Sequence, residues 1–134
     1  MKTIALIERG KDGSYGIYTP NLESTISGNG ATLEAARKDF EEAYREALDV
    51  FEEMGSPVPE ELKDLEFEYR YDLSAFYEAH PYLNVTQVAR YIGINETLMR
   101  QYRRGQYISE TQLARIQEGI RQIGRELAHV ELIR

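Results

Sequence analysis

The chain has 134 residues, enough for one ordinary domain or two small ones, with 16 Lys and Arg against 23 Asp and Glu and no cysteine. Without thiols there are neither disulfides nor thiolate metal sites, and His80 and His129 have no sequence neighbour at metal-ligand spacing, so no metal and no cofactor is expected. No apolar run approaches transmembrane length and the N-terminus lacks the long apolar core of a signal peptide, so a soluble cytoplasmic protein that avoids membranes is expected.

The first residues predict strand, strand, strand, helix, strand. Thr3–Glu8 and Tyr15–Thr19 read as extended segments, and Lys11-Asp12-Gly13-Ser14 between them is a turn signal, so the two should form a hairpin. Glu23–Gly28 is expected to add a third strand, with Gly28-Asn29-Gly30 turning the chain into a long helix capped by Thr32. Glu34 then sits in the first turn, where the helix dipole favours negative charge. That helix carries Leu33, Ala36, Phe40, Ala43, Tyr44, Ala47, Phe51 and Met54 on one stripe, opposite Asp39, Glu42, Glu46, Asp49 and Glu53. Gly55-Ser56-Pro57-Val58-Pro59 ends it, because neither proline can continue helical hydrogen bonding. Leu65, Phe67, Tyr69 and Tyr71 alternate with Glu66, Glu68 and Arg70, the pattern of a half-buried strand returning to the sheet.

Residues 1–71 therefore predict a small α+β domain, and 72–134 an all-α one. Asp72 is suited to cap a short helix carrying Leu73, Phe76 and Tyr77, closed by Pro81 and expected to pack beneath the helices that follow. From Val85 to Gly105 the pattern is that of a helix-turn-helix, with its two helices within 85–104. Ala89 leaves room for a crossing helix, Gly93 can take a left-handed turn conformation, and Val88, Ile92, Ile94, Leu98, Met99 and Tyr102 supply a shared core. Asn95 should cap the second helix. Its other face then presents Glu96, Thr97, Arg100, Gln101 and Arg104. Arginine pairs bidentately with guanine, glutamine or asparagine with adenine, and arginine or threonine bonds phosphate oxygens. Thr86, Gln87, Asn95, Glu96, Thr97, Arg100, Gln101 and Arg104 are accordingly the candidate DNA-binding residues, and Glu96 is expected to pair with Arg100 four positions on. A solvated polar face on two ordinary short helices is the competing reading.

Ser109 and Gln112 form a capping box for a last helix spacing Leu113, Ile116, Ile120, Ile123, Leu127 and Val130 by threes and fours. The stripe either completes the local core or forms part of a seam in a homodimer or higher homo-oligomer, with Gly119 and Gly124 tolerated where another backbone comes close. Dimerisation would set two DNA readers about 34 Å apart on successive half-sites. Charge is segregated along the chain: residues 1–83 carry a net −10 and 84–134 a net +3. The basic part suits a polyanion and the acidic part a cationic partner, although most of the glutamates have a sufficient explanation as a solvated helix face.

Across nearly its whole length the chain resembles the HicB antitoxin family. The resemblance is carried by Asp12-Gly13-Ser14-Tyr15, Pro20-Asn21-Leu22, Gly30-Ala31-Thr32-Leu33-Glu34-Ala35-Ala36 and Pro57 in the first half. In the second half, Val88-Ala89, Gly93-Ile94-Asn95 and Arg100-Gln101-Tyr102-Arg103-Arg104-Gly105 resemble an Xre/Cro-like helix-turn-helix. It implies a partial ribonuclease-H-like first domain that binds and blocks a HicA-type mRNA endonuclease toxin, and a second domain that represses the shared operon by binding double-stranded operator DNA. Glu23-Ser24-Thr25 stands where the family usually has Pro-Gly-Cys.

No enzyme is expected. A ribonuclease-H-like sheet can host metal-bound carboxylates, but here the first strand offers only Glu8 at its edge, and neither a Ser-His-Asp set nor a glycine-rich phosphate loop stands out. The alternative to an antitoxin is a stand-alone DNA-binding transcriptional regulator with an N-terminal ligand-sensing or assembly domain.

Overall fold

A computed structural model describes all residues, Met1–Arg134. The fold is α+β: a four-stranded mixed sheet and five α-helices, divided into two compact units, Met1–Ala79 and His80–Arg134.

The first unit begins with β1 (Lys2–Arg9) and β2 (Tyr15–Tyr18), paired antiparallel with Ile7 opposite Ile17. Asp12 makes their turn, its carboxylate accepting from the Ser14 amide at 3.0 Å and the Ser14 hydroxyl at 2.7 Å, while Gly13 takes φ 85°. Those hydrogen bonds stabilise the charged carboxylate and hold Asp12 below its ordinary pKa.

The third strand is not where the sequence pattern puts it. β3 is Ser27–Gly30, antiparallel to β2, so Gly28-Asn29-Gly30 is the strand itself rather than the turn after it. The reason is the helix α1 (Leu33–Glu53), which crosses β3 at a distance only glycine permits. A Cβ on Gly28 would lie 2.6 Å from the Phe40 Cα, and one on Gly30 would lie 2.7 Å from the Ala35 carbonyl carbon. Asp39, on the expected acidic face, is exposed yet ties the helix to this strand by accepting from the Asn29 amide at 2.8 Å.

Thr32 caps α1 as expected, its hydroxyl accepting from the Ala35 amide at 3.1 Å. Of the expected stripe, Ala36 and Phe40 are fully buried and Leu33, Ala43, Tyr44 and Phe51 pack against the core, but Met54 is exposed and Leu48 takes a place in the packing. The helix ends through backbone bonds as well as prolines. Ser56 N–H reaches back to Phe51 C=O at 3.0 Å and Gly55 N–H to Glu52 C=O at 3.1 Å, with Gly55 at φ 65°. This left-handed glycine cap satisfies carbonyls that would otherwise be orphaned.

A single 3-10 turn at Glu60–Leu62 then buries Leu62, a core position not apparent in the local pattern. The Tyr44 hydroxyl spans this connection, donating to Leu62 C=O at 2.6 Å and accepting from Leu65 N–H at 3.1 Å. Tyr44→Phe strands both backbone groups, and urea unfolding should show a loss of about 1–3 kcal/mol. β4 (Glu66–Tyr71) lies parallel to β1, which makes the order β3-β2-β1-β4 with β1 central. Its outward Glu66, Glu68 and Arg70 are exposed, and Phe67 sits edge-on to Phe40 at 4.8 Å between ring centres.

The boundary between units falls after Ala79, not after Tyr71. Helix α2 (Leu73–Ala79) belongs to the first unit, its cap anchored to β1. Asp72 N–H donates to Ile7 C=O at 3.0 Å, one carboxylate oxygen accepts from Arg9 N–H at 2.8 Å, and the other caps α2 through Ala75 N–H at 2.8 Å. Ala75 is fully buried in the same core as Phe40 and Ile7.

The second unit holds α3 (Val85–Ile92), α4 (Glu96–Arg103) and α5 (Glu110–Ala128). No helix in the chain is long and apolar enough to cross a membrane.

Candidate nucleic-acid interface

Two eight-residue helices and the three residues between them, Gly93 to Asn95, make this site. Asn84 starts α3 by accepting from Gln87 N–H at 3.0 Å, and Gly93 stops it in the left-handed region at φ 85°. Gly93 N–H and Ile94 N–H both donate to Ala89 C=O at 2.9 Å, so the turn is fixed by its own backbone. Asn95 caps α4 by accepting from Leu98 N–H at 3.0 Å. Each of these local features follows from residue type at that position.

Packing then fixes the angle between helices. Ala89 is completely buried, as a crossing point demands, and Val88, Ile94, Met99, Tyr102 and Ile116 of α5 close the core around it. Ile92 and Leu98 are half-buried rather than central. The last helix braces the turn twice. Arg115 donates to Gly93 C=O at 2.7 Å, and the Ile92 side chain lies where a Cβ on Gly119 would be. Gly119 thus makes room for a side chain of its own unit, not for a second backbone.

The remaining face of α4 is polar. Thr97, Arg100 and Arg104 are exposed, Glu96 and Gln101 half-buried; on α3, Gln87 is exposed and Thr86 half-buried. Arg100 is the hub. Its guanidinium donates to the Thr86 hydroxyl at 3.2 Å and the Thr97 hydroxyl at 3.3 Å, joining the start of α3 to the outer face of α4. Gln87, Gln101 and Arg104 make no side-chain hydrogen bond to this group. Arg104 follows the last helical turn as its cap residue, with Gly105 at φ 106° beyond it.

Glu96 does not pair with Arg100. It forms an ion pair with Arg90 of the preceding helix, a partner six residues earlier that the turn brings within reach and that no helical spacing would nominate. The effect is to neutralise the one carboxylate on this face while leaving Arg100 to neutral hydroxyls. Arg90 and Arg115 are the contributors that sequence reasoning missed, since both act across the turn.

Chemically the face offers an arginine fork, hydroxyl and amide groups and no uncompensated negative charge. It sits on a unit whose net charge is +3, against −10 for Met1–Ala79. No set of three or more His, Cys, Asp or Glu in the chain is arranged to hold a metal ion. Comparison with known proteins returned no matching family model, curated protein or solved structure.

Proposed function

We propose that this chain is an antitoxin that neutralises a HicA-type mRNA endonuclease through Met1–Ala79 and represses its own operon through His80–Arg134. The observation that carries the DNA half is the exposed Arg100 guanidinium, oriented by two threonine hydroxyls on the outer face of a helix whose inner face is buried. A helix presented in this way is sized for the major groove, where arginine distinguishes guanine by two parallel hydrogen bonds. Positive net charge on the same unit adds the non-specific attraction to phosphates.

The toxin half rests on the resemblance to HicB antitoxins and on the opposite charge of the first unit. A ribonuclease must present a cationic surface to RNA, and an acidic protein can occupy that surface by complementary charge. Inhibition on this account is occlusion, without covalent chemistry.

The test uses the full chain and a Met1–Ala79 fragment, each mixed with the product of the neighbouring gene and with labelled duplex from upstream of the operon. The full chain should silence the nuclease and retard the duplex. The fragment should still silence the nuclease but release the duplex. A folded fragment that leaves the nuclease active would overturn the division of labour between units.

A further inference from the structure

Glu96 is the odd group on the face that Arg100 leads. A carboxylate in the first turn of a helix is favoured by the dipole wherever the helix lies, and Glu34 of α1 and Glu110 of α5 are two such cases. Neither of those is ion-paired, whereas Glu96 is held by Arg90 across the turn. The dipole therefore explains why an acid is tolerated at the start of α4, and not why an arginine is set against it.

A staple for the turn is the plainest use of the pair, but the turn has little need of one. Gly93 N–H and Ile94 N–H already close it on Ala89 C=O, Asn95 caps α4, and Arg115 holds Gly93 C=O at 2.7 Å. The Arg90 side chain is 60% and the Glu96 side chain 34% exposed, and pairs so open to water contribute little to stability. The geometry suits another task. Arg90 engages a single oxygen, Oε1, through Nε. The carboxylate is thus fixed in place and compensated, with Oε2 left to accept from outside the chain.

Groove chemistry selects the donor. A helix of this kind presents its N-terminal residues to base edges, and Glu96 is the first residue of α4. In the major groove guanine shows two acceptors and thymine an acceptor and a methyl group, so both repel a carboxylate. Adenine offers an amino donor but sets the N7 acceptor beside it, and cytosine offers an amino donor alone. Arg100 follows one turn later, about 6 Å along the axis, close to two base-pair steps of about 3.4 Å each. The Arg90 guanidinium makes the approach feasible, because a carboxylate that reaches phosphates without a compensating cation is repelled by them.

We infer that Glu96 reads cytosine and that Arg90 is the positioning residue that fixes and neutralises it. The recognition helix then selects a C·G pair within about two base pairs of the guanine taken by Arg100. This role rests on the DNA-binding reading above and adds to it a second base and a second arginine.

The full chain, Glu96→Gln, Arg90→Met and the double variant are titrated against the labelled upstream duplex and against duplexes altered one base pair at a time. The unaltered chain should lose about 10-fold in affinity when one particular C·G pair becomes T·A, which replaces the amino donor with an acceptor. In Glu96→Gln the preference at that position should move to A·T, since glutamine donates to N7 while accepting from the amino group. Preferences elsewhere should be kept. Arg90→Met keeps the alkyl stem without the charge, and should weaken binding and flatten discrimination at the same position. Adding Glu96→Gln should restore the lost affinity, because no uncompensated carboxylate remains. A pair that only staples the turn would lower the melting midpoint seen by circular dichroism and leave every base preference in place. Unchanged preference in Glu96→Gln overturns the assignment of cytosine, and an Arg90→Met loss undiminished in the double variant overturns the role of Arg90. If the unaltered chain binds no duplex, the DNA-binding reading itself fails; a chain that discriminates among duplexes but ignores the residue at 96 leaves that reading standing without this one.

Discussion

Arg100→Ala is expected to weaken binding to the upstream duplex by about 1–3 kcal/mol, the discrimination carried by one bidentate arginine–guanine contact. The variant loses the guanidinium fork and releases the Thr86 and Thr97 hydroxyls that hold it. Arg100→Lys should recover little, because a point-charge ammonium cannot reproduce the planar fork. Titration against the native duplex and against duplexes altered one base pair at a time separates two roles. A base reader loses preference at one position and keeps its salt dependence, whereas a phosphate contact weakens every sequence alike and lowers the salt slope by about one. Neutralisation of the nuclease should be untouched, since the residue lies in the other unit. Unchanged affinity for all duplexes would remove α4 from the groove.

The largest stability effect is expected at Gly28. Gly28→Ala places a Cβ 2.6 Å from the Phe40 Cα, against helix backbone that cannot rotate away as a side chain tip would. The helix must rise off the sheet, and Phe40 is fully buried with its ring edge-on to Phe67. The penalty should reach about 3 kcal/mol, the upper end of overpacking costs, or unfold the first unit outright. The chain has ten tyrosines and no tryptophan, so near-ultraviolet circular dichroism through a urea titration follows the transition. Ser27→Ala, at an exposed neighbouring position, is the control and should leave the midpoint unmoved. A loss under about 1 kcal/mol for Gly28→Ala, well below the usual cost of overpacking, would mean that close approach is not the reason for glycine there.

These two residues mark the difference between local and non-local legibility. Arg100 was readable because its role as an outward group follows from helical spacing against Leu98, Met99 and Tyr102, and from Gly93 and Asn95, whose backbone preferences act within the turn itself. The caps at Thr32, Asp72, Asn95 and Ser109 were readable for the same reason: each bonds an amide three residues on. Gly28 was misread. A glycine that serves a tight turn and one that lets a helix touch a strand are the same letter, and only the position of Phe40 tells them apart.

The ion pair of Glu96 makes the same point in electrostatics. Helical spacing offered Arg100 at four residues, but the turn brings Arg90 to the carboxylate from the other side, and Arg100 finds Thr86 fourteen residues back. Gly119 was read as a mark of close contact, correctly as to its smallness and wrongly as to its neighbour, which is Ile92 of the same unit. Asp72 looked like an ordinary cap opening the helical half. Its second oxygen binds Arg9 N–H, which makes α2 part of the sheet unit and moves the boundary to Ala79.

By itself the sequence determined the α+β class, the hairpin, the long acid-faced helix, the paired short helices and the division of charge between a −10 half and a +3 half. All of these depend on residues within one or two turns of one another, where propensity, periodicity and capping act. Tertiary structure decided which strand the glycines occupy, that β4 runs parallel to β1, which arginine answers Glu96, and which side of α5 is left uncovered. Those outcomes are set by distances between segments far apart in the chain, and a pattern of residue types carries no measure of such distances.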